Sequence, residues 1–183
     1  MIPVILGVDP SSKTGSVIIQ GDEVLWRATL KSEAEDYLIK GRDTASTLID
    51  KCLEHKVTHI CIEDYAMNAK FRLVDMVKLG TIIRWHLRTN FPDVPMYNVP
   101  PTSLKLWATR KGKASKADMK AHCIRRFDFT GNNDEVDAFL LAKYLQHGIT
   151  DMLELKPHFF TDTYKPVQSI AQNTGQTNHN SLK

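Results

Sequence analysis

The sequence predicts an α/β domain in which a central, mixed sheet of five strands is flanked by helices. Three observations support this fold class: a nearly continuous apolar run at residues 2–8, a hairpin signal at Gly21-Asp22, and amphipathic helical segments that alternate with the later strands. An apolar run of this kind is typical of a central strand that is buried on both faces of a sheet. The predicted order of elements is β β β α β α β α α α.

The first half of the chain contains four predicted strands and one helix. The first strand ends at Asp9 and is followed by a turn cluster at residues 10–15. Two strands, at 14–20 and 23–30, form the hairpin. Apolar residues then recur at three- and four-residue spacing as far as Cys52, which predicts a helix with Ser32 as its N-cap. The β-branched segment 59–62 predicts a strand that leads into Glu63.

The second half is predicted to contain one strand and four helices. A helix over 73–87 is ended by Pro92 and Pro95, and a strand at 96–99 follows. Two short helices are predicted at about 102–109 and 115–127, and a last helix runs from Asn133 through Tyr144. We expect residues 1–156 to form the domain. Residues 157–183 are predicted to be a flexible tail, because ten of the seventeen residues from Val167 onward are Ser, Thr, Asn or Gln.

Composition excludes several classes of protein. The chain has 183 residues, of which 42% are hydrophobic and 25% are charged, as is ordinary for one globular domain. No apolar stretch is long enough to span a membrane, and the N-terminal apolar run lacks the basic start of a signal peptide. The three cysteines, Cys52, Cys61 and Cys123, form no metal-binding spacing and are expected to be buried free thiols. We therefore expect a cytoplasmic protein.

Positive charge is concentrated in one segment. Between Lys105 and Arg126 there are eight basic residues and one acid, Asp118, which gives the segment a net charge of +7. The whole chain carries +3, so the remainder carries −4. A basic segment on a mildly acidic body indicates a localised contact with a polyanion.

Four acids lie at the ends of predicted elements. Asp9 and Glu63 close two strands, and Asp134 and Asp137 share one face at the start of the last helix. Sites in α/β sheets form at the carboxyl ends of strands, so these acids are expected to meet there. Converging carboxylates need a compensating charge, and Mg²⁺ or Mn²⁺ is the cation that suits oxygen ligands. Two such ions about 4 Å apart support hydrolysis of a phosphodiester.

Each acid also has a simpler interpretation. Asp9 can be a turn residue, Glu63 a surface acid at a strand end, and Asp134 and Asp137 can favour the helix dipole. The segment Asp9-Pro-Ser-Ser-Lys-Thr-Gly15 lacks the spacing of a P-loop, and we expect no nucleotide cofactor. It is closer to the first phosphate loop of actin-like ATPases, but those proteins need a second copy of the domain to enclose a nucleotide.

Three segments resemble a known family. Ile5-Leu-Gly-Val-Asp9-Pro-Ser-Ser-Lys-Thr-Gly15, Cys61-Ile-Glu63-Asp-Tyr-Ala-Met67 and Asn133-Asp134-Glu-Val-Asp137-Ala-Phe-Leu-Leu-Ala142 are similar to the RuvC Holliday junction resolvases of bacteria and their phages. The resemblance implies an RNase H-like fold, a homodimer, and Mg²⁺-dependent symmetric nicking of four-way DNA junctions, with Mn²⁺ able to substitute. It also implies that Asp9, Glu63, Asp134 and Asp137 hold two metal ions and are catalytic.

The resemblance carries over to basic residues as well. Lys105 and Lys116 match basic positions near the scissile phosphate, where a lysine would offset negative charge in the transition state. Lys116 is therefore also predicted to be catalytic. The predicted DNA contacts add three residues of the basic segment that lie beside Gly112: Arg110, Lys111 and Lys113.

The chain departs from the family at Ala66, where many relatives carry an aromatic residue that inserts into the junction. Tyr65 and Phe71 lie nearby and are predicted to substitute for it in DNA binding, because base stacking tolerates different rings. The helix face with Leu73, Val77 and Gly80 is a candidate dimer contact, although packing inside the domain is the preferred interpretation. Two other functions stay open: a nuclease for forks, flaps or structured RNA, and a junction-binding protein without catalysis. Phage or cellular origin also stays open.

Overall fold

The computed structural model describes residues 2–65 and 73–150. The elements are β1 (Val4–Asp9), β2 (Thr14–Gln20), β3 (Glu23–Leu30), α1 (Tyr37–His55), β4 (His59–Glu63), α2 (Leu73–Asn90), β5 (Met96–Val99), α3 (Pro101–Thr109), α4 (Lys116–Phe127) and α5 (Asn133–Thr150). The predicted order of elements is confirmed. The predicted tail at 157–183 lies outside the described residues.

The five strands form one mixed sheet in the order β3-β2-β1-β4-β5. β2 is antiparallel to both β1 and β3, whereas β4 is parallel to β1 and β5 is parallel to β4. β1 is therefore central, which explains why all six of its residues are buried. Its parallel partner β4 brings a second strand end to the same edge of the sheet as the end of β1.

Helices cover both faces of this sheet. On one face, α1 and α2 pack through Leu48, Leu79 and Ile83 against Leu6, Val8 and Ile60. On the other face, α3, α4 and α5 pack against the alternate strand residues, among them Ile5, Val17 and Cys61. Side chains point to the two faces in turn along each strand, so neighbouring residues on a strand contact different helices.

The start of α1 differs from the prediction. Ser32 is not its N-cap: the helix begins five residues later, and the Asp36 carboxylate accepts hydrogen bonds from the backbone N–H groups of Leu38 and Ile39 at 2.7 and 3.1 Å. Ser32 Oγ instead donates to Asp43 Oδ2 at 2.8 Å. Asp and Ser are about equally good N-caps, so the residue type alone does not favour Ser32 over Asp36.

The three cysteines are free and buried, as expected. Burial raises the pKa of the Cys52 and Cys123 thiols to about 12, so both stay in the unreactive thiol form. No helix within residues 2–65 and 73–150 has the length and apolar character needed to cross a membrane.

Candidate active site

Asp9 and Glu63 lie side by side at the edge of the sheet. β1 and β4 pair in parallel, with Val8 opposite Ile62, so both acids occupy the last position of neighbouring strands. Asp9 and Glu63 lie on the same face of the sheet as Cys61, which is the face covered by α3, α4 and α5. Asp9 is buried and Glu63 is half-buried. The structure therefore brings together the two strand-end acids that the sequence predicted.

Two glycines bring α5 onto this edge. A Cβ atom at Gly7 would lie 2.0 Å from the carbonyl oxygen of Ala138, and one at Gly15 would lie 1.9 Å from the carbonyl oxygen of Asp134. Gly15 is the residue on β2 that pairs with Asp9. The backbone at Asp134 therefore rests against the strand pair that carries Asp9, and the first turns of α5 face the strand ends. Sequence reasoning missed both glycines, although glycine inside a strand is a known sign of close backbone approach.

The electrostatics show that the four acids act on one another. Burial, then the charge of Asp9, raises the pKa of Glu63 to about 9. Burial, the charge of Asp9 and the charge of Asp134 raise the pKa of Asp137 to about 6, although Lys116 and Lys105 act in the opposite direction. Burial also raises the pKa of Asp9, against a hydrogen bond with Glu63 that lowers it. The same hydrogen bond raises the pKa of Glu63, so the pair favours a proton on Glu63 over one on Asp9.

Lys116 supplies positive charge to the acids of α5. It is the first residue of α4, and its Nζ lies 4.0 Å from Asp134 Oδ1 and 3.7 Å from Asp137 Oδ2. Its side chain is 62% exposed, so it can also meet a ligand from solvent. Lys105, on α3, lowers the pKa values of both Glu63 and Asp137. The structure therefore places both predicted lysines at the carboxylates.

The residues fit a hard divalent cation by their donor chemistry. All four candidate ligands offer carboxylate oxygens, which Mg²⁺ and Mn²⁺ accept. Burial first, and then neighbouring carboxylates, raise the pKa values of Asp9, Glu63 and Asp137, and a bound cation would balance this negative charge. Among the residues that the structure describes, no three Asp, Glu, His or Cys side chains stand close enough to share an ion. In this arrangement Lys116 supplies one positive charge beside the two carboxylates of Asp134 and Asp137.

The basic segment continues outward from this edge. Arg110 caps α3 in the left-handed conformation, and Lys111 and Lys113 are exposed in the loop that follows. Asp118, the acid of the segment, is engaged in a capping box with Ser115, and these hydrogen bonds lower its pKa. Its negative charge is therefore used at the start of α4, two residues from Lys116. Among the described residues, the lysines of the loop have no acidic partner within hydrogen-bond distance.

The two predicted aromatic residues are placed differently. Tyr65 is half-buried: its ring packs against Gly80, and its hydroxyl lies 2.8 Å from Thr81 Oγ1. Phe71 lies outside the described residues. Gly80 is buried beneath Tyr65 and Arg84, so this part of the candidate dimer face is packed within the domain, as the preferred interpretation held.

Comparisons with known proteins bear on the fold. No family model matches the sequence, and no curated protein matches it. Several solved structures are similar to the chain, among them two of RuvC. One is RuvC of Thermus thermophilus, with a TM-score of 0.62 and 15% identity over 81% of this chain and 96% of that one. The other is T. thermophilus RuvC in complex with a Holliday junction substrate, with a TM-score of 0.64 and 16% identity over 81% and 94%.

These likenesses define the class of fold. The mixed five-stranded sheet flanked by helices is the RNase H-like fold, in the form seen in RuvC. The fold predicted from the sequence is therefore confirmed.

Proposed function

We propose that this chain is a metal-dependent endonuclease that resolves four-way DNA junctions by paired, symmetric nicks. One observation carries the proposal: two strand ends and one helix start bring Asp9, Glu63, Asp134 and Asp137 to one edge of an RNase H-like sheet. There the pKa values of Asp9, Glu63 and Asp137 are raised by burial and by neighbouring carboxylates. The basic segment beside them supplies the complement to a phosphate backbone. The similar RuvC structure bound to a Holliday junction supports the same substrate class.

The four acids would hold Mg²⁺ or Mn²⁺, with two ions per site. When bound, the metal would supply activation of water and stabilisation of the leaving oxygen in an in-line displacement. The products would carry 5′-phosphate and 3′-hydroxyl ends, and Asp9, Glu63, Asp134 and Asp137 would be catalytic as metal ligands.

The lysines would act on the phosphate directly. Lys116 bridges Asp134 and Asp137 at 4.0 and 3.7 Å in the structure, and its exposed ammonium group is free to exchange one carboxylate for the scissile phosphate. There it would offset the negative charge that develops in the transition state. Lys105, whose charge lowers the pKa values of Glu63 and Asp137, would contact the same phosphate.

Arg110, Lys111 and Lys113 would contact phosphates farther along the strand, so they would position the DNA without reading its sequence. A homodimer would place two such sites symmetrically about the two-fold axis of a junction and so explain paired nicks. Val74 and Trp85 are 67% and 57% exposed and share one face of α2, which we propose as the dimer contact in place of Gly80. We expect W85D to sediment as a monomer. A dimer that persists in W85D would move the contact elsewhere.

Cleavage of a labelled four-way junction tests the proposal. Linear duplex, a three-way fork, a flap and a structured RNA serve as competing substrates, each with and without Mg²⁺, and D9N is the inactive control. Paired, ligatable nicks in the junction, lost in D9N, are the expected result. Equal cutting of forks, flaps or RNA would widen the substrate class, and tight binding without cutting under any divalent metal would make the chain a junction-binding protein.

A further inference from the structure

Arg84 connects three elements at the edge that carries the candidate site. It lies on α2, on the opposite face of the sheet from α5, and is half-buried. Its Nη2 donates a hydrogen bond to the backbone carbonyl oxygen of Glu63, and its Nε donates to Asn98 Oδ1 on β5 at 3.1 Å. Its guanidinium carbon lies 4.5 Å from the centre of the Tyr65 ring. One side chain therefore contacts Glu63 at the end of β4, Asn98 on the neighbouring strand β5, and Tyr65, two residues beyond β4.

These contacts fix the backbone on both sides of Glu63. The next residue, Asp64, donates its backbone N–H to the carbonyl oxygen of Val99 at 2.9 Å, and its carboxylate accepts from the backbone N–H of Tyr65 at 2.8 Å. Tyr65 is held in turn by Thr81 and by the cation–π contact with Arg84. The segment leaving β4 is thus tied to β5 and α2, with the guanidinium group at the centre of the ties.

The environment suits arginine and excludes a simple surface role. A Cβ atom at Gly80 would lie 2.8 Å from Arg84 Nη1 and 3.0 Å from the Tyr65 ring, so the missing side chain makes room for both groups. Arginine donates from several nitrogens in one plane and stacks on rings, which the ammonium group of lysine cannot reproduce. A charged side chain held in this way stabilises one backbone arrangement and disfavours others.

We propose that Arg84 is a positioning residue for the cleavage reaction: it holds the backbone of Glu63 so that the carboxyl group stays beside Asp9. This inference rests on the proposed nuclease function. Arg84 touches neither the acids' carboxyl groups nor the basic segment, so its effect is expected in the rate of cleavage and not in DNA affinity. Misplacement of a catalytic group by about 1 Å costs on the order of 100-fold in rate.

The test compares R84M and R84K with R88M, the same substitution at an exposed arginine one turn farther along α2. Three quantities are measured for each protein: the unfolding temperature, the affinity for a four-way junction in EDTA, and the single-turnover rate of junction cleavage in Mg²⁺. We expect R84M to cleave roughly 10- to 100-fold more slowly with an affinity within about twofold of wild type. R84K, which keeps the charge but loses the planar donors, should stay at least about fivefold slow. R88M should match wild type.

Several outcomes would overturn the role. Wild-type cleavage in R84M or R84K would show that the ties to Glu63 are dispensable, and a parallel loss of affinity and rate would make Arg84 a DNA contact. If R84M fails to fold, R84K and N98A provide the test. N98A removes only the hydrogen bond from Arg84 Nε to Asn98 Oδ1. N98A is then expected to slow cleavage about threefold to tenfold with unchanged affinity, and wild-type rates in both variants would refute the role. A wild-type protein that cleaves no branched nucleic acid would refute the proposed function itself, and this role with it, whereas an active wild type with an unaffected R84M refutes this role alone.

Discussion

Replacing Glu63 with Gln should stabilise the metal-free protein while removing its proposed activity. Burial and Asp9 raise the pKa of Glu63 to about 9 from an ordinary value of 4.5, so at neutral pH the folded protein holds a proton that the unfolded chain does not. A group with this shift favours folding below its ordinary pKa and opposes folding increasingly as pH rises from 4.5 toward about 9. Glutamine is neutral at every pH and avoids that penalty.

The size of the effect follows from the same values. Taking up a proton at pH 7 by a group with an ordinary pKa of 4.5 costs about 3 kcal/mol, at roughly 1.36 kcal/mol per pH unit. Part of this gain is lost because the amide replaces the hydrogen bond to Asp9 imperfectly. We therefore expect E63Q to gain about 2 kcal/mol at pH 7, which for a chain of this length raises the melting temperature by roughly 4–8 °C.

Thermal unfolding in EDTA from pH 4.5 to pH 8 measures this effect. At pH 4.5 the protonation gain is nearly absent, so E63Q should be about 1 kcal/mol less stable than wild type because of the weaker hydrogen bond to Asp9. As pH rises, the difference should pass through zero and become a gain. E23Q is the matched control, since Glu23 is exposed on β3 and should give no difference at any pH. Added Mg²⁺ should stabilise wild type more than E63Q. An E63Q protein that is no more stable than wild type at pH 7, or a difference independent of pH, would refute the electrostatic reasoning.

Three further predictions concern the packing of α5, the proposed role of Lys116 and the basic segment. In urea unfolding, G15A should lose about 3 kcal/mol or more of unfolding free energy, because its Cβ would lie 1.9 Å from the Asp134 carbonyl oxygen. The control G112A, whose Cβ would lie 3.9 Å from its nearest atom, should stay within about 0.5 kcal/mol of wild type. Equal stabilities of the two variants would contradict this packing. K116A should cleave roughly 100-fold more slowly with little change in junction affinity, and a wild-type rate would exclude a role at the phosphate. Arg110, Lys111 and Lys113 are exposed, and replacing all three should lower the slope of log affinity against log salt concentration by roughly 2–3. An unchanged slope would show that this segment does not contact the junction.

Much of the sheet could be predicted from the sequence because its signals are local. The hairpin strands 14–20 and 23–30 and the strand 96–99 have the predicted bounds, since alternation and turn residues mark their ends directly. The positions of Asp9 and Glu63 at strand ends followed from the same signals. The predicted start of α1 was wrong because Ser32 and Asp36 are equally suitable N-caps by residue type, and only the packing of the folded chain selects Asp36.

The parts that escaped prediction depend on contacts between distant segments. Gly7 and Gly15 matter because the backbone of α5 crosses them, and their own neighbours in sequence do not reveal that crossing. Arg84 resembles any charged residue on a helix, yet its partners lie on β4 and β5. The contacts of the Tyr65 ring and hydroxyl with α2 were likewise not predicted, and its contact with DNA stays a prediction. A local pattern gives the type of residue but not its partner.

The position of α5 on the strand ends also orders the events of synthesis. Asp9 and Glu63 leave the ribosome early, whereas Asp134 and Asp137 belong to the last helix that the structure describes. A nascent chain that ends before this helix holds two of the four acids and lacks the backbone that rests on Gly7 and Gly15. If the acids are the catalytic set, an unfinished chain cannot cut DNA, and nuclease activity begins only when the helix docks.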